Sequence, residues 1–268
     1  MDKAVILARG LGKRMRECNS SLNLTQAQVL VAESGFKAMM PFKRPFVDYV
    51  INELADAGYC RICLVIGPEH NNIREYYQSL KCRRISIEFA IQEKPLGTAD
   101  AVVAAEDFVG DDTFIVINAD NHYPAEALQA LKKLDGPGLI GFERDSLIAG
   151  SNIEKERILR FAVIQTDNEG FLTNIIEKPG EKILVSVPKP VCVSMNCWRM
   201  NPTIFKACRA ISPSVRGELE LPDAVLYCIK FLGEKYRTVF IKAAVLDLTS
   251  RSDIGPIAGR LANKKISL

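Results

Sequence analysis

Histidine is scarce in this chain of 268 residues, which contains only His70 and His122. Two imidazoles are too few to build a metal site on their own. Long apolar runs are also absent, since none approaches the roughly 18 residues of a membrane-spanning helix. The N-terminus lacks the charged region and apolar core of a secretion signal. These absences predict a cytoplasmic protein with no membrane partner.

The charge balance is close to neutral, with a formal net charge of +3. This excess is too small to indicate a nucleic-acid partner. The charge is uneven, however, because residues 1 to 44 contain eight cations and three anions. A local excess of this size suits a compact polyanion, such as a nucleoside triphosphate, better than a long duplex.

Cysteine is plentiful but poorly spaced for metal binding. The eight residues are Cys18, Cys60, Cys63, Cys82, Cys192, Cys197, Cys208 and Cys228. Only Cys60 and Cys63 have a C-x-x-C spacing, and they lie in a predicted strand, where residues three apart point to opposite faces. We therefore expect reduced, mostly buried thiols that behave as small apolar residues.

The chain begins with a short apolar run, Val5 to Ala8, that ends at two glycines and a group of cations. Gly10 and Gly12 can adopt positive φ and leave no Cβ between the main chain and an anion. Lys13, Arg14 and Arg16 add positive charge beside those amides. A dinucleotide fingerprint would need glycine at Met15, and a P-loop would need glycine at Leu7. The pattern predicts a phosphate-binding loop of another kind; the alternative is a tight turn carrying surface cations.

Strand and helix patterns alternate through the first half of the chain and hairpins follow, which predicts one domain over residues 1–268. The fold class is α/β: a three-layer α/β/α, Rossmann-like arrangement around a mainly parallel, mixed sheet. Predicted strands are 60–66, 85–91, 113–118, 139–144, a hairpin of 158–165 with 171–177, 191–198, and two near 239 and 245. Predicted helices are 25–34, 45–57, 67–80, 98–107, 125–133, one from 202, and 218–232.

Polar residues follow several of these strands, where ligands bind in open α/β sheets. Asp120 follows the fourth strand, and Asp247 has the same context later in the chain. Mg²⁺ takes one or two carboxylates together with phosphate oxygens, so the two acids indicate a shared metal. A helix-cap or turn aspartate is the alternative for either one alone.

The turn after the third strand contains Gly97, which would let a flat ligand approach the backbone, and Thr98, which is predicted to cap the next helix. Lys178 and Arg216 could complete an anion site, or could be solvated surface charges.

Taken together and in order, several segments resemble the sugar nucleotidyltransferases, the nucleoside-diphosphate-sugar pyrophosphorylases that include glucose-1-phosphate uridylyl- and thymidylyltransferases. The segments are Leu7 to Met15, Lys37 to Pro41, Gly97-Thr98-Ala99, Asn118 to Asn121, Glu177-Lys178-Pro179, Arg216-Gly217-Glu218 and Leu246-Asp247.

The resemblance implies a role for each matching residue. Expected nucleotide-binding residues are Leu7, Ala8, Gly10, Gly12, Arg14, Gln92, Gly97 and Thr98. Expected sugar-phosphate-binding residues are Glu177, Lys178, Asn196 and Arg216. Expected catalytic residues are Arg14, Lys37, Asp120 and Lys178, and Asp120 with Asp247 would bind Mg²⁺ as the cofactor.

The implied reaction joins a nucleoside triphosphate to a sugar 1-phosphate and releases pyrophosphate. Two alternatives remain at this stage: a cytidylyltransferase acting on a phosphorylated alcohol, and a non-catalytic sensor of nucleotide or sugar phosphate with the same fold. The oligomeric state is open, a homo-oligomer being one alternative.

The sequence departs from the family pattern at three positions. Arg9 stands where glycine is usual, Lys13 where threonine or serine is usual, and Ala119 often aligns with glycine. Arg9 would either add a phosphate contact or crowd the loop. The segment of residues 17–36 is longer than is common, so a role as a lid or as an interface is open.

Overall fold

The computed structural model describes residues 1–17, 22–180, 184, 187 and 189–268; Cys18 lies outside them. A nine-stranded sheet forms the centre of this part of the chain. The strands are Lys3–Leu7 (β1), Arg61–Ile66 (β2), Ser86–Ile91 (β3), Phe114–Asn118 (β4), Gly138–Glu143 (β6), Val163–Thr166 (β7), Leu172–Ile176 (β8), Cys192–Met200 (β9) and Arg237–Ile241 (β10). Their order in the sheet is β10-β6-β9-β4-β1-β2-β3, with a β7–β8 hairpin beside β9.

The sheet is mixed but mostly parallel. β1 pairs in parallel with both β2 and β4, and β3 pairs in parallel with β2. Within the seven-strand path only β9 runs the other way, since it is antiparallel to β4 and β6, while β6 and β10 are parallel. β1 is suited to the centre because the fully apolar sequence Ala4 to Leu7 can be covered on both faces. The predicted fold class is confirmed.

Helices flank the sheet on both faces. They are Lys13–Arg16 (α1), Gln26–Ser34 (α2), Phe46–Asp56 (α3), Asn71–Ser79 (α4), Thr98–Ala104 (α5), Glu106–Val109 (α6), Ala125–Lys132 (α7), Arg144–Gly150 (α8), Lys155–Ile158 (α9), Thr203–Ala210 (α10), Leu221–Phe231 (α11) and Ile254–Leu261 (α12). None of the helices described is long and apolar enough to cross a membrane.

Two hydrophobic cores result from the alternation of side chains along the strands. In β1, Ala4 and Ile6 lie in one core with residues of α3, α7 and α12, whereas Val5 lies in the other with residues of α5, α10 and α11. Successive strand residues point to opposite faces, so one apolar strand contributes to both layers. This packing produces the three layers and leaves the ends of the strands free to carry a site.

Several predicted boundaries are right and others are wrong. The helix predicted over 25–34 is present as α2, with Thr25 in a capping box with Gln28 at its start and Gly35, at a φ of 75°, at its end. The helix predicted from residue 67 begins at Asn71 instead, and the first hairpin strand begins at Val163, after the short helix α9. The sequence prediction also missed α8 and α12.

The C-x-x-C pair behaves as the strand geometry requires, because Cys60 is exposed and Cys63 is buried. The seven cysteines in the described part of the chain are free, and five of them are buried. A second, two-stranded sheet pairs Asn121–His122 (β5) with Leu246–Asp247 (β11) in antiparallel fashion. This short ladder brings residues more than 120 positions apart to one edge of the main sheet.

Candidate active site

The loops that follow β1, β2, β3 and β4 meet at the carboxyl edge of the sheet. Backbone hydrogen bonds continue beyond the strand ends, since Ala8 N donates to Val65 O at 2.9 Å and Ala119 N donates to Leu7 O at 3.1 Å. Gln92 N likewise donates to Ile66 O at 2.9 Å. The phosphate loop, the Gln92 turn and Asp120 are therefore neighbours, as the strand-end argument predicts.

Two acids and a lysine form the most concentrated charge at this edge. The Lys37 ammonium forms an ion pair with Asp120 Oδ2, and both side chains are mostly buried. Asp247 lies opposite Asn121 in the β5–β11 ladder, and Leu248 N donates to Asp120 O at 2.8 Å. Burial, and secondly the Asp120 carboxylate, raise the pKa of Asp247 to about 6. The structure thus brings Lys37, Asp120 and Asp247 together.

The same two carboxylates are the donors available for a metal. Within the described residues, no three His, Cys, Asp or Glu side chains group as a complete metal site. Two close carboxylates nevertheless fit Mg²⁺, a hard cation that takes few protein ligands and completes its shell with water and phosphate oxygens. Burial first and repulsion from Asp120 second raise the pKa of Asp247, and a bound cation would offset both by stabilising the ionised carboxylate.

The two glycines of the loop serve different purposes. Gly12 has a φ of 59°, and a Cβ built on it would lie 2.1 Å from Gly35 O, so the loop packs directly against the backbone before Lys37. Gly10 is not among the positive-φ glycines, and a Cβ there would meet nothing within 4 Å. The open space beside Gly10 can admit a phosphate, whereas Gly12 is required for packing.

The cations after the loop lie on the surface. Lys13 and Arg14 are exposed in α1, where a ligand could reach them. Arg16 instead donates from Nη2 to Ser34 O at 2.7 Å, at the end of α2. A cavity of about 300 Å³ lies beside the loop, lined by Arg9, Gly10, Leu11, Phe36, His70 and Asn71 among others.

Arg9 lies between neighbouring loops and contacts Glu69 and Gln92, a placement that the sequence did not predict. Its Nε and Nη2 atoms each lie 3.3 Å from a carboxylate oxygen of Glu69. Its Nη1 donates to the main-chain oxygen of Gln92. The side chain is only 8% exposed, so the extra guanidinium is accommodated between the loops.

The turn after β3 is built differently from the prediction. Gly97 has a φ of 129°, and a Cβ there would lie 2.4 Å from Leu219 O, so the glycine allows this segment to approach closely. Gly97, not Thr98, is the N-cap of α5, so the predicted Thr98 cap is wrong. Thr98 Oγ1 instead accepts a hydrogen bond from Leu221 N at 2.9 Å, at the start of α11. The segment before α11 therefore packs on this turn.

Gln92 is buried beneath the same turn. Its Nε2 donates to Gly97 O at 3.0 Å and to Asp100 Oδ2 at 2.7 Å. Its side chain therefore supports the turn through these two contacts. Leu7 and Ala8 are similarly engaged through their main-chain atoms.

Two of the four residues expected to hold the sugar phosphate have an unusual backbone conformation. Lys178 and Asn196, with φ values of 44° and 54°, are the two non-glycine residues at positive φ in the described part of the chain. Such strain collects at functional sites. Asn196 lies in β9 where its register with β6 shifts, and a bulge there redirects side chains. Glu177 and Lys178 are exposed directly after β8.

Arg216 lies in the exposed segment before α11. Its Nη2 is 2.7 Å from Glu220 Oε1, and its own side chain is about half exposed. The Leu219 contact with the Gly97 turn brings this segment to the edge of the site. Arg216 is therefore close in the fold to the Gln92 turn, although it is paired with Glu220.

Comparison with known proteins agrees with this geometry. The sequence model of the family described as nucleotidyl transferase matches residues 3–257. The chain belongs to this family. The resemblance to sugar nucleotidyltransferases noted from the sequence motifs is confirmed.

Relatives of this nucleotidyl transferase occur in Haloferax volcanii. A low-salt glycan biosynthesis nucleotidyltransferase is 29% identical over 83% of this chain and 56% of its own length. A UTP–glucose-1-phosphate uridylyltransferase is 26% identical over 83% of this chain and 82% of its own length. The chain thus spans little more than half of the first relative.

A solved structure has the same fold. A UDP-glucose pyrophosphorylase complexed with UDP-glucose superposes with a TM-score of 0.74 at 18% identity, covering 99% of this chain and 100% of the other.

Two residues of this nucleotidyl transferase that the sequence did not indicate support Asp247. Asn152 donates from Nδ2 to Asp247 O and accepts at Oδ1 from Asp247 N, both at 2.9 Å. Arg157 places Nη1 2.9 Å from Asp253 Oδ1 and Nη2 3.9 Å from Asp247 Oδ2. These contacts join residues 90 or more positions apart, so no local motif could have revealed them.

Replacing Asp247 with asparagine is expected to stabilise the nucleotidyl transferase at neutral pH. The native pKa of about 6 exceeds the usual 3.8, so the folded state retains a proton between these pH values and carries a disfavoured charge above pH 6. The stabilisation from that proton is present below pH ~4 and is lost as pH rises through ~6. The free energy of unfolding of the variant should exceed that of wild type by about 2–3 kcal/mol at pH 7.5 and should match it near pH 4.

Urea unfolding at both pH values, without divalent cations, measures this difference. If the difference in unfolding free energy between variant and wild type did not change with pH, the burial of an ionised Asp247 would be contradicted.

Proposed function

We propose that this chain joins a nucleoside triphosphate to a sugar 1-phosphate, releasing pyrophosphate and a nucleoside-diphosphate sugar. The observation that carries the proposal is the cluster of Lys37, Asp120 and Asp247 beside the loop of Gly10. Paired carboxylates and a lysine next to an open backbone position suit a reaction between two phosphate esters, in which negative charge must be neutralised.

The reaction needs no general base. A phosphate monoester is already anionic at neutral pH, so its oxygen can attack the α-phosphorus directly. One P–O bond forms to the sugar phosphate, and the bond from the α-phosphorus to the departing pyrophosphate breaks. Alignment of the two reactants can supply roughly 7–11 kcal/mol of the barrier reduction. The fold's contribution is therefore to hold both substrates in line.

Each group has a part in that alignment. The open backbone at Gly10 would face the triphosphate, and exposed Arg14 would stabilise the pyrophosphate as it leaves. Lys37 would exchange part of its contact with Asp120 for a phosphate oxygen. Lys178 and Arg216 would bind the phosphate of the sugar, with Glu177 and Asn196 on the sugar itself.

The cofactor we propose is Mg²⁺, bound by Asp120 and Asp247. When bound, it would supply positive charge beside the α-phosphate, which lowers the cost of the developing negative charge. The two carboxylates provide the oxygen ligands that this cation prefers.

The names of similar proteins indicate where to begin with substrates. One relative is a UTP–glucose-1-phosphate uridylyltransferase, and the similar solved structure is a UDP-glucose pyrophosphorylase. We therefore propose UTP and glucose 1-phosphate as the first pair, with dTTP as the second nucleotide.

A matrix of UTP, dTTP, CTP, ATP and GTP against several sugar 1-phosphates, with Mg²⁺, tests the proposal by pyrophosphate release. We expect turnover for at least one triphosphate with a sugar 1-phosphate. Adding phosphocholine and glycerol 3-phosphate tests the cytidylyltransferase alternative. Turnover restricted to CTP with such an acceptor would replace the proposal. Nucleotide binding combined with a lack of turnover for every pair tested would favour the sensor.

A further inference from the structure

One guanidinium connects the loops that follow three adjacent parallel strands. Arg9 follows β1, Glu69 follows β2 and Gln92 follows β3. Arg9 contacts both Glu69 carboxylate oxygens at 3.3 Å and donates from Nη1 to the main-chain oxygen of Gln92. We call Arg9, Glu69 and the main chain of Gln92 the three-loop clamp.

The clamp is attached to the turn that follows β3. Gln92, 4% exposed, donates from its side chain to Gly97 O and Asp100 Oδ2. Arg9 holds the main chain of the same residue, so its contacts reach the turn through one buried glutamine. On the other side, Arg9 immediately precedes Gly10, where the backbone is open to a phosphate. Arg9 therefore links the open backbone at Gly10 to the Gln92 turn of the candidate nucleotide site.

The burial of Arg9 distinguishes between two roles, that of a phosphate ligand and that of a residue that positions its neighbours. A phosphate ligand would project toward an open position, but this side chain is 8% exposed and three of its N–H groups already have acceptors. Glu69, by contrast, is 52% exposed and reaches in from the surface. A fork-shaped, multiply bonded guanidinium positions the groups around it.

We propose that Arg9 is a positioning residue that holds the Gln92 turn in register with the phosphate loop, and so sets the affinity for the nucleoside triphosphate. The proposal rests on the proposed function for the identity of that ligand. Arg9 stabilises the shape of the nucleotide site before the substrate binds and contacts no reacting atom.

The decisive test uses Arg9→Ala and Glu69→Ala, because the two roles predict opposite changes in the KM of Glu69→Ala for the triphosphate. A clamp loses one anchor in Glu69→Ala, so the KM for the triphosphate should rise. A phosphate ligand would instead be released from its carboxylate partner, so the KM should fall. We expect a rise of roughly tenfold for Arg9→Ala, with a smaller change in kcat, and a rise of severalfold for Glu69→Ala. A lower KM in Glu69→Ala overturns the proposal.

Two further variants sharpen the result. The double variant Arg9→Ala/Glu69→Ala should bind no more weakly than Arg9→Ala, since both changes break the same contact. Arg9→Lys should resemble Arg9→Ala, because an ammonium lacks the fork that reaches Glu69 and Gln92 together. Full activity in Arg9→Lys would indicate that only charge matters and would overturn the clamp.

Arg209→Ala is the matched control. Arg209 also contacts a carboxylate with both Nη atoms, in this case that of Glu106. The pair joins α10 to α6, beyond the C-terminal end of α5, which is the end that leads away from the loops. The KM of this variant should equal that of wild type.

Equilibrium binding of UTP, dTTP, CTP, ATP and GTP, measured by calorimetry, separates the two proposals. If wild type binds one of these triphosphates but turns over no pair, the proposed function fails while the clamp is still tested by Kd. If wild type binds none of the five nucleotides, the clamp is overturned as well.

Discussion

Asp120→Asn is expected to abolish pyrophosphate release, with a loss of at least about a hundredfold in kcat. Asparagine has nearly the same shape but removes the charge that pairs with Lys37 and that, together with Asp247, would hold Mg²⁺. Lys37 would then lose its carboxylate partner, and the charge pattern around the α-phosphate would change. Initial rates at saturating Mg²⁺ measure the effect.

Asp111→Asn is the matched control for this variant. Asp111 is exposed and lies just before β4, at the opposite end of the strand from Asp120. The control should retain wild-type rates, and circular dichroism should show that both variants are folded. Wild-type turnover in a folded Asp120→Asn protein would remove Asp120 from the mechanism and from the metal site.

Gly12→Ala is expected to have the largest effect on stability, a loss of about 3–5 kcal/mol. A φ of 59° alone costs a residue with a Cβ roughly 1–2 kcal/mol. The new methyl group would also lie 2.1 Å from Gly35 O, a backbone atom that cannot move aside like a flexible side chain. Urea unfolding measures the loss, and a change under about 1 kcal/mol would show that the two backbones do not pack this closely.

Gly10→Ala provides the comparison within the same loop. No atom lies within 4 Å of the added methyl group, so stability should stay within about 0.5 kcal/mol of wild type. The methyl group would nevertheless stand where a phosphate approaches the backbone, and the KM for the triphosphate should rise roughly tenfold. If the two variants had equal stability, the separate roles of these glycines would be wrong.

Much of the fold could be predicted from strand periodicity and loop composition. The apolar β1, the capped helix α2 and the alternation of strands and helices each depend on local preferences, which the sequence displays directly. The short helices α8, α9 and α12 were missed or misplaced because their ends and amphipathic faces are defined by packing on the sheet. The candidate acids were found because both follow apolar strands.

The contacts within the site were less predictable. Thr98 is a reasonable helix cap by sequence, but the segment before α11 takes its hydroxyl. At Gly97, the close neighbour in the Cβ direction is Leu219, from a segment more than 100 residues away. Asn152 and Arg157 have no motif, and their importance arises only from the approach of Asp247.

By itself, the sequence determined the layered α/β fold, the loop of Gly10 and Gly12, and the acids and lysines around a candidate nucleotide site. These follow from local features: periodicity, glycine freedom and polar residues at strand ends. Only the tertiary structure decided that Gly12 is needed for packing while Gly10 is open, and that Arg9 connects three loops. The physical reason is that each of these outcomes depends on which backbone or carboxylate arrives from a distant part of the chain.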